Sequence, residues 1–129
     1  MKILHVLQSK LSLPARDYGG TERIVWGLLT AQQASGHEVR LLWGDAPDLP
    51  KNAARYDATK SMREQIGGWP DIVHFHQPFD GELDVPYIST EHGNAEHARS
   101  YGQNTVFLSA RHANNHNAEC FIHNGLDWT

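Results

Sequence analysis

Cysteine is almost missing from this chain: Cys120 is the single one among 129 residues. An internal disulfide is therefore impossible, which excludes a small secreted scaffold stapled by cross-links. Long hydrophobic runs are missing too. No apolar stretch approaches the roughly 20 residues that cross a bilayer. The opening Met1-Lys2-Ile3-Leu4-His5-Val6-Leu7-Gln8 is too short in apolar residues for a secretory signal. These absences together predict a cytoplasmic protein without a transmembrane segment. Positive charge is scarce, 11 Lys and Arg against 15 Asp and Glu for a net charge of −4, and a general nucleic-acid binder would be strongly basic.

Familiar catalytic and phosphate signatures are absent as well. No G-x-G-x-x-G follows the first apolar run, and no G-x-x-x-x-G-K-[ST] occurs, so neither the dinucleotide fingerprint nor the P-loop is present. His112 and His116 are spaced i, i+4, but Ala113 stands where H-E-x-x-H needs glutamate, which rejects a metalloprotease. Ser109 and Cys120 sit in no nucleophile motif such as G-x-S-x-G. There is no internal repeat and no low-complexity tract.

With 40% apolar and 20% charged residues, the chain can build one core of ordinary size, and a single domain over residues 1–129 is expected. Residues 2–7 form an apolar run without helical period and read as a buried parallel strand. Residues 9–20, with Pro14 and Gly19-Gly20, make a connection longer than the 2–6 residues usual for a βα loop. A helix is predicted over residues 21–35, with Thr21 as N-cap, Glu22 in the first turn and a stripe of Ile24, Val25, Leu28, Leu29 and Gln32. Gly36 closes it, and residues 38–43 form the next strand, completing a βαβ unit. Further on, a short helix is predicted at 61–66 and strands at 71–76, 86–90, 105–109 and 119–122, with a helix over 110–118. This alternation is α/β, with a mostly parallel sheet covered on both faces.

Such sheets bind ligands beyond the carboxyl ends of their strands. Tyr18-Gly19-Gly20-Thr21 lies there, where adjacent glycines admit a ligand to the backbone and the first turn of a helix attracts anions. A phosphate-bearing ligand and a plain tight turn are both consistent with these residues.

The run Tyr18-Gly19-Gly20-Thr21-Glu22-Arg23-Ile24-Val25, followed by Gly36-His37-Glu38-Val39, resembles the opening of family 4 glycosyltransferases. Asp71-Ile72-Val73-His74-Phe75-His76, Thr90-Glu91-His92-Gly93 and His123-Asn124-Gly125-Leu126-Asp127 resemble later landmarks of that family in the same order. The resemblance implies a Rossmann-like three-layer domain, the N-terminal, acceptor-side half of a GT-B enzyme that transfers a sugar from a nucleotide-sugar donor with retention of configuration. It implies a front-face substitution, no cofactor and no metal.

In that family the Asn-Gly-Leu-Asp type of motif precedes the second domain, whose donor site carries glutamates spaced E-x₇-E; no pair here has that spacing. The expectation is that the C-terminal donor-binding domain is absent, that the chain alone is inactive, and that an exposed interdomain face favours self-association. Residues 44–90 are shorter than usual for the family.

By this resemblance His92 aligns the sugar and the reacting groups, Gly19 and Gly20 admit the donor phosphate, and Tyr18, Thr21, His76 and Glu91 face the acceptor. The plainer readings are a turn-capping loop histidine at position 92 and solvated acidic residues at Glu91 and Glu96. Arg23 is equally a phosphate partner or a salt-bridge partner. Nine histidines is a high count. His74 and His76 share one face of a strand, read here as one core residue, His74, and one at the cleft edge, His76. His5 is expected to be packed, and a zinc site with His92 is the minority reading. Two rival classes remain beside the enzyme half: a non-catalytic sugar- or glycan-binding module of the same fold, and an unrelated α/β domain with a histidine-built metal or hydrolytic site.

Overall fold

A computed structural model describes residues 1–14, 20–92, 105–107 and 122. Their order is β1 (Lys2–Leu7), α1 (Gly20–Ala34), β2 (Glu38–Trp43), β3 (Ala53–Arg55), α2 (Met62–Ile66), β4 (Ile72–Phe75), β5 (Tyr87–Thr90) and β6 (Thr105–Val106). The strands form one sheet in the order β3-β2-β1-β4-β5-β6, and every pairing is parallel. Strand order reverses between β1 and β4, which opens a crevice at their carboxyl ends.

β1 is central and covered on both sides, which explains why Ile3, Leu4, His5 and Val6 are all buried in an unbroken run. On one face Ile3, Val39, Leu41 and Trp43 pack with Val25 and Leu29 of α1. On the other, Leu4, Val6, Leu42, Val73 and Phe75 pack with Ile66 of α2. Trp43 is fully buried, and its indole N–H donates to the Leu11 carbonyl at 3.0 Å. Trp69 packs on the second face and lies under the Arg40 guanidinium, 4.0 Å from its ring centre.

The helix ends follow local chemistry. Gly36 takes φ +92°; its N–H donates to the Gln33 carbonyl at 3.0 Å and the His37 N–H to the Gln32 carbonyl at 3.1 Å. That pair of bonds is a Schellman closure, and it anchors Gln32 at the last turn of α1. Ser61 caps α2 by accepting from the Glu64 N–H at 3.1 Å. Gly44, just past β2, lies against the backbone of Ser9: a Cβ there would sit 2.2 Å from the Ser9 carbonyl oxygen. Gly44→Ala is expected to force these two strand ends apart, costing about 2 kcal/mol or more and roughly 5 °C or more in Tm. An unchanged thermal melt would contradict this close approach.

Several expectations need correction. α1 begins at Gly20, so Thr21 is inside its first turn and is not the N-cap. β3 has no counterpart in the sequence reading, because Ala53-Ala54-Arg55 lacks the β-branched and aromatic residues that mark strands. The expected Rossmann-like parallel sheet is borne out, with every described pairing parallel. The predicted helix over 110–118 lies outside the described residues. So does the strand over 119–122 except Ile122, whose N–H donates to the Phe107 carbonyl at 2.7 Å.

Candidate functional site

In a parallel sheet, registered partners point to the same face. β1 and β4 place His5 beside His74, and β4 and β5 place His74 beside Ile88. Two residues further along, His76 lies at the same side near Thr90, and His92 follows β5. Four histidines from three chain segments thus gather on the face of the sheet covered by α1, at its carboxyl edge.

Their bonds form a line. His5 Nε2 meets Gln32 Oε1 of α1 at 2.7 Å, His5 Nδ1 meets His76 Nε2 at 2.9 Å, and His76 Nδ1 meets His92 Nε2 at 2.9 Å. His74 stacks on His76 with ring centres 4.2 Å apart, and its Nε2 meets Thr90 Oγ1 at 2.7 Å. The His76 backbone N–H extends the β1–β4 ladder by donating to the Val6 carbonyl at 2.9 Å. That extra rung places His76 in the interior.

Burial decides the charge of these rings. Desolvation pushes His5 down to about 4, partly offset by the bond to Gln32. Desolvation, reinforced by neighbouring His5 and His92, pushes His74 down to about 3. His76 is held well below the ordinary histidine range by desolvation, then by His74, His5 and His92. At neutral pH all three are uncharged, so each carries one proton to donate and one lone pair to accept with.

The nitrogens of His5, His74 and His76 include atoms within 4.8 Å of one another, a spacing a metal ion could draw together. Both nitrogens of His5, both of His76 and Nε2 of His74 are already committed to hydrogen bonds. A bound metal would have to break some of these.

Beside the histidines, a shallow cleft opens at the ends of β4, β5 and β6, lined by Gln77, Phe79, Asp80, Thr90, Glu91 and Thr105, among others. Gln77 Oε1 accepts from the Gln8 N–H at 2.7 Å, tying the ends of β1 and β4 together. The Glu91 N–H donates to the Val106 carbonyl at 2.8 Å, which fixes the backbone next to His92. Ser89, 5% exposed, also lines the cleft, and its hydroxyl has no hydrogen-bond partner. On the α1 side, Ser9 Oγ donates to Glu22 Oε1 at 2.9 Å.

The sequence-predicted residues fall into three groups. His76, Glu91 and His92 come together at the edge of β4 and β5. Gly20 and Thr21 sit at the start of α1, and nothing lies within 4 Å of where a Cβ on Gly20 would be, so that position is open. Tyr18 and Gly19 lie outside the described residues, as do Glu96, His112, His116 and Cys120. The reading of His76 as the cleft-edge residue is corrected, since it is 5% exposed, while His74 lies half-buried within β4 between β1 and β5. His5 is packed as expected, yet it is also a bonded member of the cluster. Gln32, read as the polar edge of a buried stripe, is its anchor.

An all-parallel Rossmann-like sheet with a polar cluster at its switch point defines the class: an α/β domain of the GT-B glycosyltransferase type. The sequence model for Glycosyltransferase Family 4 matches residues 18–129, and the chain belongs to that family. Among solved structures, AviGT4, a glycosyltransferase involved in avilamycin A biosynthesis, superposes with a TM-score of 0.63 at 20% identity. That match covers 92% of this chain and 41% of the other. No curated protein matches the chain significantly. Among the described residues, no helix is long and apolar enough to cross a membrane.

Proposed function

We propose that this domain supplies the acceptor-side half of a retaining, nucleotide-sugar-dependent glycosyltransferase, completed by a donor-binding domain of GT-B type. The observation that carries this reading is the placement of His92: it follows β5 at the ligand edge of the sheet, and its Nε2 is hydrogen-bonded to buried His76. A ring held in one orientation at this edge is suited to bonding a sugar hydroxyl near neutral pH. Glu91, in the adjoining cleft, accepts hydrogen bonds from acceptor hydroxyls. Gly20 at the open start of α1, with Gly19 before it in the sequence, receives the donor phosphate through backbone N–H groups, while Tyr18 and Thr21 face the acceptor. His76 acts on the acceptor through His92, since both of its own nitrogens are used inside the cluster. Neither metal nor cofactor takes part in this scheme, and the setting is cytoplasmic.

Titration of the isotopically labelled chain with acceptor sugars and nucleotide sugars, followed by NMR shift mapping, tests the location. Shifts are expected at Thr90, Glu91 and His92 and at the start of α1. Shifts confined to the opposite strand ends, around Lys2, Glu38 and Asp71, would overturn it.

A further inference from the structure

The Ser89 side chain is buried in β5, yet its hydroxyl has no hydrogen-bond partner. Register explains why. Its neighbour on β4 is Phe75, which offers no polar atom, and its neighbour on β6 is Thr105, which makes no bond to it. These three residues point to the face of the sheet covered by α2, the side away from the histidines. Phe79 stacks on Phe75 with ring centres 4.4 Å apart, so that face is apolar next to Ser89. Alanine would hold the same place in the strand without the desolvation cost of an unmade bond. An oxygen that the fold does not use points to a ligand, and Ser89 lines the cleft at the ends of β4, β5 and β6.

The rest of the lining defines the chemistry of that ligand. The Gln8 N–H can only donate, so Gln77 turns Oε1 to it and keeps its amide NH2 group as a donor. Glu91 brings a carboxylate, which only accepts, on a backbone fixed by the bond to Val106. The hydroxyls of Ser89 and Thr105 can do either. Among the described residues, none that lines the cleft is positively charged. Such a set suits ring hydroxyls, which both donate and accept, and repels a carboxylate or phosphate.

We propose that this cleft is the subsite for an uncharged sugar acceptor, and that Ser89 is its specificity-determining residue, bonded to a ring hydroxyl in the complex. The unmade bond is a cost that the free domain carries and recovers on binding. A sugar without that hydroxyl leaves Ser89 buried and unpaired, so it is rejected more strongly than the missing contact alone would give. This inference rests on the reading of the domain as an acceptor-side half, and its test separates the two.

The isotopically labelled full chain is titrated with the methyl glycosides of glucose, galactose and mannose and with the matching uronides. At least one neutral glycoside is expected to shift the amide signals of Ser89, Glu91 and Thr105, and its uronide to bind at least tenfold more weakly. No neutral glycoside shifting these signals, or a uronide binding as well, overturns the proposal. Ser89→Ala has two readouts. Affinity for the bound glycoside should fall roughly tenfold, while the Tm of the free chain should rise by roughly 3 °C. A lower Tm means that the hydroxyl is bonded within the fold or to an ordered water, and it overturns the proposal, as does unchanged affinity. Shifts at His92 and the start of α1 without shifts at Ser89 and Thr105 overturn the subsite and leave the acceptor-side reading standing. Binding in the cleft without transfer in any mixture with a donor-binding half supports the subsite and removes that reading.

Discussion

Acidification from pH 7 to pH 5 should destabilise this chain far more than an exposed histidine would. His5 has a folded-state value of about 4 and His74 of about 3, against 6.5 when unfolded, and His76 is lowered in the same direction. The unfolded chain therefore binds more protons than the folded one between those limits, and stability rises with pH there. The stabilisation from neutral burial is complete above about pH 6.5 and is lost as pH falls toward about 4 for His5 and about 3 for His74. Each such ring costs up to about 1.4 kcal/mol per pH unit within its window, and His5 alone is worth on the order of 3 kcal/mol. Against a total of about 5–15 kcal/mol for a domain, that is large. Denaturant unfolding at pH 7.5, 6 and 5 measures it; a flat profile would mean that these rings are not buried uncharged. His5→Phe, which removes one of the three titrating rings, should make the curve shallower without flattening it, because His74 and His76 remain.

Replacing His92 is the second large effect. His92→Ala removes the ring proposed to meet the sugar and leaves His76 Nδ1 without its partner. Positioned acid–base or hydrogen-bonding groups contribute about 100-fold or more to turnover, so kcat in the completed enzyme should fall by about that factor while KM changes little. The stability loss should stay near the roughly 1–3 kcal/mol of one unpaired buried polar atom. His92→Ala with unchanged turnover would remove the assignment of this ring to the reaction. Glu91→Gln, by contrast, should raise the acceptor KM more than it lowers kcat, because Glu91 acts on binding.

Much of the fold is legible because its signals are local. The expected bounds of β1 and β2 coincide with the observed strands, α1 carries its stripe and its closing Gly36, and Ser61 and Gly67 bracket α2. β3 is not legible, since an edge strand of two alanines and an arginine owes its place to Leu41, Leu42 and Trp43 alongside. The candidate site is legible at His92, Glu91 and His76 through the ordered motifs. Its deeper half is not. The contact of His5 with His76 spans 71 positions, and the contact with Gln32 spans 27. Both depend on the β1–β4 register and on where α1 lies, which no local pattern encodes. A histidine inside the first strand reads as packing until the register sets it beside His74. The unexpected burial of His76 has the same origin, because the rung to Val6 carries the ladder past the last residue of β4.

The most direct measurement is sugar transfer from a panel of nucleotide sugars, assayed on the chain alone and mixed with a matched C-terminal GT-B half. Transfer in the mixture, dependent on His92 and absent from either part alone, is the result this account predicts. Sugar binding without transfer in any mixture would contradict it and mark the domain as a sugar-binding module of the same fold.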